Sequence, residues 1–380
     1  MVKMIMRIGI DATALPAQPV GAGNYIIQFV KALAEMDLDY ELIVFAQKSK
    51  RDLFDIPYDA NFHWEIVPDK SPMYRLMWEQ TTFPRLVRRA ELDLLHSLHY
   101  TQPVRLGCPS VVTIHDMTFF LYPHLHTRSK RLFFPTAIRS SVRRADALIA
   151  ISESTRQDSI RLLGVSPQKI FTTQLGITDE FRVVKDKELL VKVREKYDLP
   201  EAFVLYVGLV EPRKNIPFLI RAYKSLIDEG IKHNLVIVGR FGWKYHEVFK
   251  QIEELGVEDR VQFTGYMPQD DLPMVYNLAS LFVYPTKYEG FGLPALEAMA
   301  CGTPVVTTEI SSLPEIVGDA GMLVPPDDEQ ALTGAMAEVL SDSTLYVQLR
   351  KRGLQRSEHF TWERTARKTL KVYQQILMVK

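Results

Sequence analysis

Glu289 and Glu297 stand eight positions apart in the run YPTKYEGFGLPALEAMACGTP, Tyr284 to Pro304. A carboxylate accepts two hydrogen bonds at once, so such a pair suits the vicinal hydroxyls of a ribose or hexose. A second set is cationic. Arg213 and Lys214 close the segment VLYVGLVEPRKN, Val204 to Asn215. Arg offers a fork for two oxygens and Lys a point charge, and the pair stands at a strand-to-helix turn, on the side where ligands of such sheets bind. His115 and Asp116 end the run VVTIHD, where a neutral imidazole could hydrogen-bond a hydroxyl. Adjacent residues of an extended segment point oppositely, so this pair is not by itself a catalytic dyad. Gly21 and Gly23 mark a further loop, short of the full G-x-G-x-x-G dinucleotide pattern. Each feature also has a bland reading. Glu297 could complement a helix N-terminus, Arg213 and Lys214 could be solvated, His115 could be structural, and the glycines could form an ordinary α/β turn.

These side chains need elements to hold them. Ile5–Ile10, Tyr40–Ala46, Leu92–Ser97, Ser110–Ile114 and Ala147–Ile151 read as strands of a first half. Phe203–Val207, Asn234–Val238, Val261–Thr264, Leu281–Tyr284 and Pro304–Thr308 read as strands of a second. Near-continuous apolar runs without alternation suit parallel sheets covered on both faces. Helical periodicity between them makes βα repeats, so the expected fold is α/β, with two Rossmann-like doubly wound domains facing across a cleft. The expected division is 1–178, a 179–199 linker, 200–360, and a helix over 361–380. Gly290 and Gly292 allow a tight loop after a strand, and Pro294 suits a helix start. The loop then offers unpaired backbone N–H groups, with Glu297 in the first helical turn.

Composition narrows the function classes. At 380 residues the chain exceeds one ordinary core, and 47% hydrophobic with 24% charged residues is a globular mixture. Lys plus Arg balance Asp plus Glu at 46 each, which argues against nucleic acid as a partner. Two cysteines make no disulfide framework and fit a reducing compartment. The start MVKMIMRIGIDA reads as a strand rather than a signal peptide, and no apolar stretch is long enough for an expected membrane span. The expected location is cytoplasmic. Residues 117–145 hold Arg128, Lys130, Arg131, Arg139, Arg143 and Arg144 with no acid, interleaved with Phe133, Phe134 and Ile138. That is either a solvated helix face or a surface for a phosphate-bearing or lipid-linked acceptor, with peripheral contact at the inner face of the membrane. Asp37 and Asp39 spell D-x-D away from the glycine loop, and the pairs His96/His99 and His124/His126 lack further metal ligands at a persuasive spacing. No P-loop or G-x-S-x-G motif occurs.

EGFGLPALE from Glu289 to Glu297, continued by AMACGTPVV, resembles the E-x7-E run of the large retaining glycosyltransferase family of the two-Rossmann-domain (GT-B) class, family 4. That family includes bacterial mannosyl-, glucosyl- and N-acetylglucosaminyltransferases. The strand, Gly208, Arg213, Lys214 and Asn215 resemble its pattern almost position by position, and the likeness extends over nearly the whole chain. The resemblance implies a hexosyltransferase using a nucleotide-sugar donor. It places Glu289 near the donor sugar and Glu297 on the ribose. Arg213 and Lys214 fall at the diphosphate, Gly208 in the donor site, and the backbone amides around Phe291, Gly292 and Leu293 at the donor sugar or phosphate. It also brings the Gly21–Gly23 loop over the phosphates and His115 near the sugar. No metal or other cofactor is implied. The run MTFFLYP after His115 and Asp116 is similar to the HDxxFxxxP version of mannosyltransferase-like members, which tilts the donor toward GDP-mannose over a UDP-sugar. The acceptor implied is a glycan or lipid-linked molecule, used in cell-surface polysaccharide synthesis. Rival readings are a nucleotide-sugar epimerase, a glycan phosphorylase and a non-catalytic sugar-nucleotide-binding protein.

Overall fold

Parallel strands joined by helices build each of two units. The computed structural model describes residues 6–56 and 62–378. The Ile5 end of the first expected strand and the last residues of the 361–380 helix lie outside the described residues. One unit comprises 1–176 and 361–380, the other 177–360.

The first unit holds β1 (Met6–Asp11), β2 (Tyr40–Gln47), β3 (Phe62–Val67), β4 (Leu94–Ser97), β5 (Ser110–Ile114), β6 (Ala147–Ala150) and β7 (Ile170–Thr172). Their order is β3-β2-β1-β4-β5-β6-β7, and every pairing is parallel. Chain order therefore reverses direction between β1 and β4, the switch point where ligands of such sheets gather. β4, β5 and β6 are buried along their whole length, as expected for strands covered on both faces. One core cluster joins Val112, Ile114 and Leu148 to Ile138 and Val142 of the helix Arg128–Arg144. Another packs Phe45 and Leu95 on Trp78, Phe83 and Val87. β3 shows the burial pattern of an edge, with His63, Glu65 and Ile66 less covered than Phe62 and Val67. It carries no continuous apolar run, and β7 spans only three residues; both escape a reading based on apolar runs.

The closing helix Trp362–Met378 belongs to this unit. It buries Trp362, Ala366, Leu370 and Tyr373. The Tyr373 hydroxyl lies 2.5 Å from His96 Nδ1, and Thr365 Oγ1 donates to the Gln174 carbonyl at 2.6 Å. His96 Nε2 in turn meets Thr113 Oγ1 at 2.8 Å, so this histidine joins core elements.

The second unit holds β8 (Phe203–Val207), β9 (Asn234–Val238), β10 (Val261–Gly265), β11 (Leu281–Tyr284), β12 (Val305–Thr308) and β13 (Met322–Val324). The order β10-β9-β8-β11-β12-β13 is again parallel throughout, with its switch point between β8 and β11. The helix Ile216–Asp228 covers the sheet with Ile216, Phe218, Leu219, Ile220, Tyr223 and Leu226. Residues 179–199, expected as a linker, lie inside this unit. They contain a helix, Lys187–Lys196, whose start is capped by the Asp186 carboxylate. Lys196 and Tyr197 both bond Asp271, at 2.7 and 2.5 Å, which ties the segment to the helix Leu272–Leu278.

Candidate active site

β8 and β11 end side by side at the switch point of the second sheet, and the loops that follow them carry the two sets of charged residues. After β8 the chain makes one short turn, Pro212–Lys214, before the long helix Ile216–Asp228. After β11 it runs through Thr286 and Glu289 to the helix Leu293–Ala300. The Lys287 N–H donates to the Arg213 carbonyl at 2.8 Å, and Thr286 Oγ1 lies 3.1 Å from the same oxygen. Those contacts hold the loops together.

Glu289 lies at the centre. Its Oε1 accepts from Lys214 Nζ at 2.7 Å, Thr286 Oγ1 at 2.8 Å, Arg213 at 2.9 Å and the Tyr284 hydroxyl at 3.1 Å. Among the described residues nothing bonds Oε2. Burial opposes the Glu289 charge, but Arg213, Lys214 and the hydrogen bonds outweigh it and hold the carboxyl down to about 2. Arg213 is shared with a second carboxylate, Glu211, whose Oε1 lies 3.0 Å from Nε and 2.9 Å from the other guanidinium arm. Lys214 is pulled below its ordinary pKa by burial and by Arg213, with Glu289 opposing both.

The helix that follows starts at Leu293. Gly292 has φ +104°, and a Cβ there would lie 2.7 Å from Leu313 Cδ2, so backbone conformation and packing both demand glycine. Ser312 Oγ donates to the Phe291 carbonyl at 2.7 Å and lies 3.1 Å from that of Glu289, and Ser311 Oγ accepts from the Glu289 N–H at 2.8 Å. Among the described residues no bond engages the N–H groups of Phe291, Gly292 or Leu293, three donors at a helix start. The Phe291 ring itself is an anchor, edge-on to Phe360 with centroids 6.0 Å apart.

Glu297 is the fifth residue of that helix, past its first turn. The helix end therefore does not explain its charge. Its Oε2 accepts from the buried Tyr276 hydroxyl at 2.8 Å, and no described residue bonds Oε1. Burial pushes this carboxyl up to about 7, with only the Tyr276 bond opposing. The two glutamates thus share a pattern: one oxygen is anchored by the protein, and the other has no partner among the described residues. Their ionisations differ because one faces cations and the other a phenol. An aromatic row lies beneath them, Tyr276–Phe282–Tyr284–Tyr206, with successive centroids 5.5, 5.7 and 5.9 Å apart.

Gly208 follows β8, and its N–H donates to the Val238 carbonyl at 2.9 Å. In the first unit, His115 follows β5. Its Nε2 donates to the Leu98 carbonyl at 2.8 Å, which assigns the lone pair to Nδ1 in the neutral ring. Burial lowers its pKa, partly offset by Leu98 and Asp116. Asp116 is turned away, accepting from the Thr118 N–H at 2.9 Å and hydroxyl at 2.6 Å, so the two are not a dyad. Gly21 precedes the helix Ala22–Ala34 with φ +52°. Gly23 has a packing reason of its own: a Cβ there would lie 3.1 Å from Pro16 and Pro19 atoms. The same helix sets Tyr25 edge-on to His115, with centroids 5.1 Å apart. Arg213, Lys214 and Glu289 are therefore brought into direct contact, while Gly21, Gly23 and His115 gather at the strand ends of the first unit. Sequence reasoning passed over Tyr276, Tyr284, Thr286, Ser312 and Glu211. The available signal was a tyrosine at the end of a buried strand, because a buried hydroxyl needs a partner.

Two Rossmann-ordered parallel units, one carrying cations and acids at its switch point, have the architecture of the GT-B class. Residues 19–181 match the model of Glycosyltransferase Family 4 and residues 191–356 that of Glycosyl transferases group 1. O-antigen chain mannosyltransferase B of Escherichia coli is 34% identical over 372 residues, covering 93% of this chain and 95% of that one. Among solved structures, sucrose-phosphate synthase from Thermosynechococcus elongatus superposes with a TM-score of 0.79 at 24% identity, covering 99% of this chain and 100% of that one. HepE of Anabaena, solved with UDP and glucose, gives 0.76 at 21% identity, covering 97% and 99%. The chain belongs to glycosyltransferase family 4. Among the described residues no group of three or more His, Cys, Asp and Glu could hold a metal ion.

Proposed function

We propose that this protein is a retaining mannosyltransferase, moving mannose from GDP-mannose to a glycan or lipid-linked acceptor of cell-surface polysaccharide synthesis, with no metal in the reaction. The carrying observation is the buried cluster in which Arg213 and Lys214 share Glu289 Oε1 while Oε2 has no partner among the described residues. On this reading the two cations and the amides of Phe291 to Leu293 hold the diphosphate. Glu289 Oε2 accepts from a donor-sugar hydroxyl and Glu297 Oε1 from the ribose. His115 Nδ1 is a further hydroxyl acceptor. The anomeric C–O bond breaks, GDP leaves with the bonding pair, the acceptor oxygen bonds the anomeric carbon, and its proton passes to the leaving phosphate. The cations favour this step because charge on the departing oxygen grows toward the transition state. Support for mannose comes from the HDxxFxxxP-like run, Asp116 to Pro123 included, and from the 34% identical O-antigen mannosyltransferase.

Incubation with a panel of GDP- and UDP-sugars is expected to show GDP release, fastest with GDP-mannose, and NMR of the product an α-linkage matching the donor. An inverted linkage rejects the retaining mechanism, and preference for a UDP-sugar rejects mannose.

We also propose that the enzyme works at the inner face of the membrane. The helix Arg128–Arg144 exposes its basic residues, with Leu132 at 76% and Phe133 at 43% exposure beside them. A basic surface with apolar side chains suits anionic lipid, at about 1 kcal/mol per basic residue near the headgroups. Among the described residues no helix is long and apolar enough to cross a membrane. Sedimentation with phosphatidylglycerol vesicles at low salt is expected to pull the protein down. Reversing Arg128, Lys130 and Arg131 to glutamate is expected to weaken this more than about tenfold; an unchanged partition ends the proposal.

A further inference from the structure

Tyr284 closes β11 with its side chain fully buried. Its ring is stacked between Phe282 and Tyr206, and its carbonyl accepts from Thr307 Oγ1 at 2.6 Å. Ring and backbone are therefore both fixed. The phenol oxygen meets two charged groups at once: it accepts from Lys214 Nζ and donates to Glu289 Oε1 at 3.1 Å. The ammonium also lies over the ring face, 4.8 Å from its centroid. Burial, then Glu289, raises the phenol's pKa well above the ordinary value of 10.0, so it remains a neutral O–H.

An ammonium has three N–H donors. One of Lys214's goes to Glu289 at 2.7 Å and one to Tyr284. Among the described residues the third has no acceptor. A lysine tethered by Glu289 alone could rotate about that one bond. Tethered by two acceptors on a rigid wall, its remaining N–H has one direction. The phenol oxygen also favours the charged form of a buried lysine that Arg213 repels.

We infer that Tyr284 is a positioning residue: its hydroxyl aims the remaining N–H of Lys214 at the donor diphosphate and keeps that ammonium charged. The inference rests on the reading of Lys214 as a diphosphate ligand. Neither the E-x7-E run nor the Arg-Lys pair assigns Tyr284 this work, since in sequence it is one more apolar strand residue.

Tyr284→Phe keeps the ring and removes only the oxygen. Tyr206→Phe is the control, since that stacked phenol contacts the Leu209 carbonyl at 3.4 Å and neither Lys214 nor Glu289 among the bonds of the described residues. Both variants are to be compared with the wild type in melting temperature, in GDP binding by calorimetry, and in kcat and donor KM from pH 6 to 10. Nitrogen-15 NMR of the lysine side chains in the ligand-free protein follows Lys214 directly. For Tyr284→Phe we expect kcat to fall about tenfold or more, as for a lost aligned donor, with KM changed by less than about threefold. The basic limb of the pH–kcat profile and the Lys214 titration are both expected to move to lower pH. Tyr206→Phe should leave all of these in place. An unmoved Lys214 titration, or a kcat loss with an unmoved basic limb, overturns the inference, because a merely structural tyrosine would behave that way. A wild type that binds no nucleoside diphosphate overturns the functional reading and this inference with it. GDP binding with an unmoved titration overturns the inference alone.

Discussion

Lys214→Met is expected to lower kcat about a thousandfold, the upper range for removing one preorganised charge stabiliser, while donor KM rises less than about tenfold. The asymmetry follows from the position of the ammonium. It is nearly buried, and its attraction for a phosphate oxygen is screened far less than on a wet surface. On the proposed reading the ground-state diphosphate retains Arg213 and the amides at the start of the helix Leu293–Ala300, so binding should survive, while the charge that develops on the departing oxygen loses one of its point charges. Methionine keeps the length of the side chain, and Glu289 still has Arg213, Thr286 and Tyr284, so the loop should remain folded. Arg213→Met is expected to cost about a hundredfold, because its guanidinium is partly engaged by Glu211. Steady-state kinetics at saturating donor, with melting curves on the same preparations, measure both. A loss below tenfold for Lys214→Met would remove it from the leaving-group role.

The two site glutamates are expected to respond oppositely to the same chemical change. Glu289 is depressed from 4.5 to about 2. It therefore contributes stability that is complete above the unfolded value and lost as pH falls through about 2. At about 1.4 kcal/mol per pH unit this is about 3 kcal/mol at neutral pH. Glu289→Gln should forfeit it and leave Arg213 and Lys214 facing one another across an amide, lowering the melting temperature by several degrees along with activity. Glu297 is raised from 4.5 to about 7. Its protonated form is favoured by folding, so stability is highest below the unfolded value and declines as pH rises toward about 7. Above that the folded protein carries a cost of about 3 kcal/mol. Glu297→Gln should relieve it, raising the melting temperature at pH 8 and only slightly at pH 5. The same substitution should weaken donor binding, since an ionised oxygen is the better acceptor for ribose hydroxyls. In the wild type, donor affinity should strengthen as pH rises through about 7, and this dependence should flatten in the variant. Melting curves at pH 5 and 8, with calorimetric GDP titrations, test both halves. A Glu297→Gln protein less stable than wild type at pH 8 would contradict the account of Glu297.

How much of this was legible beforehand depended on how locally each feature is encoded. β5, β8, β9 and β11 could be read to the residue, because a strand buried on both faces is a short apolar run ended by a polar, glycine or proline residue. β3, β7 and β13 could not. The first lies at an edge and carries no continuous apolar run, and the others are three residues long, too short for any period to register. The charge-rich stretch before Pro200 read as connector plus a short helix, and its bounds, Lys187–Lys196, and its packing against Leu272–Leu278 were not legible because its few buried contacts lie far off in the chain.

For the site, the residue types were local knowledge. Acids on a glycine loop, a basic pair at a strand-to-helix turn and a histidine after a buried strand are all visible as short motifs, and their resemblance to a family pattern implied a nucleotide sugar. The pairings were not. Lys214 and Glu289 are 75 positions apart and meet only because β8 and β11 are neighbours across the switch point. Neither the buried phenols nor the opposite ionisations of Glu289 and Glu297 leave a trace in spacing, because a pKa is set by which charges and how little water surround a group. The chemistry the chain can attempt was thus written in its loops. Which oxygen is anchored, which is free and which proton is held were decided by tertiary packing, since that alone brings distant groups within hydrogen-bonding reach and excludes solvent from them.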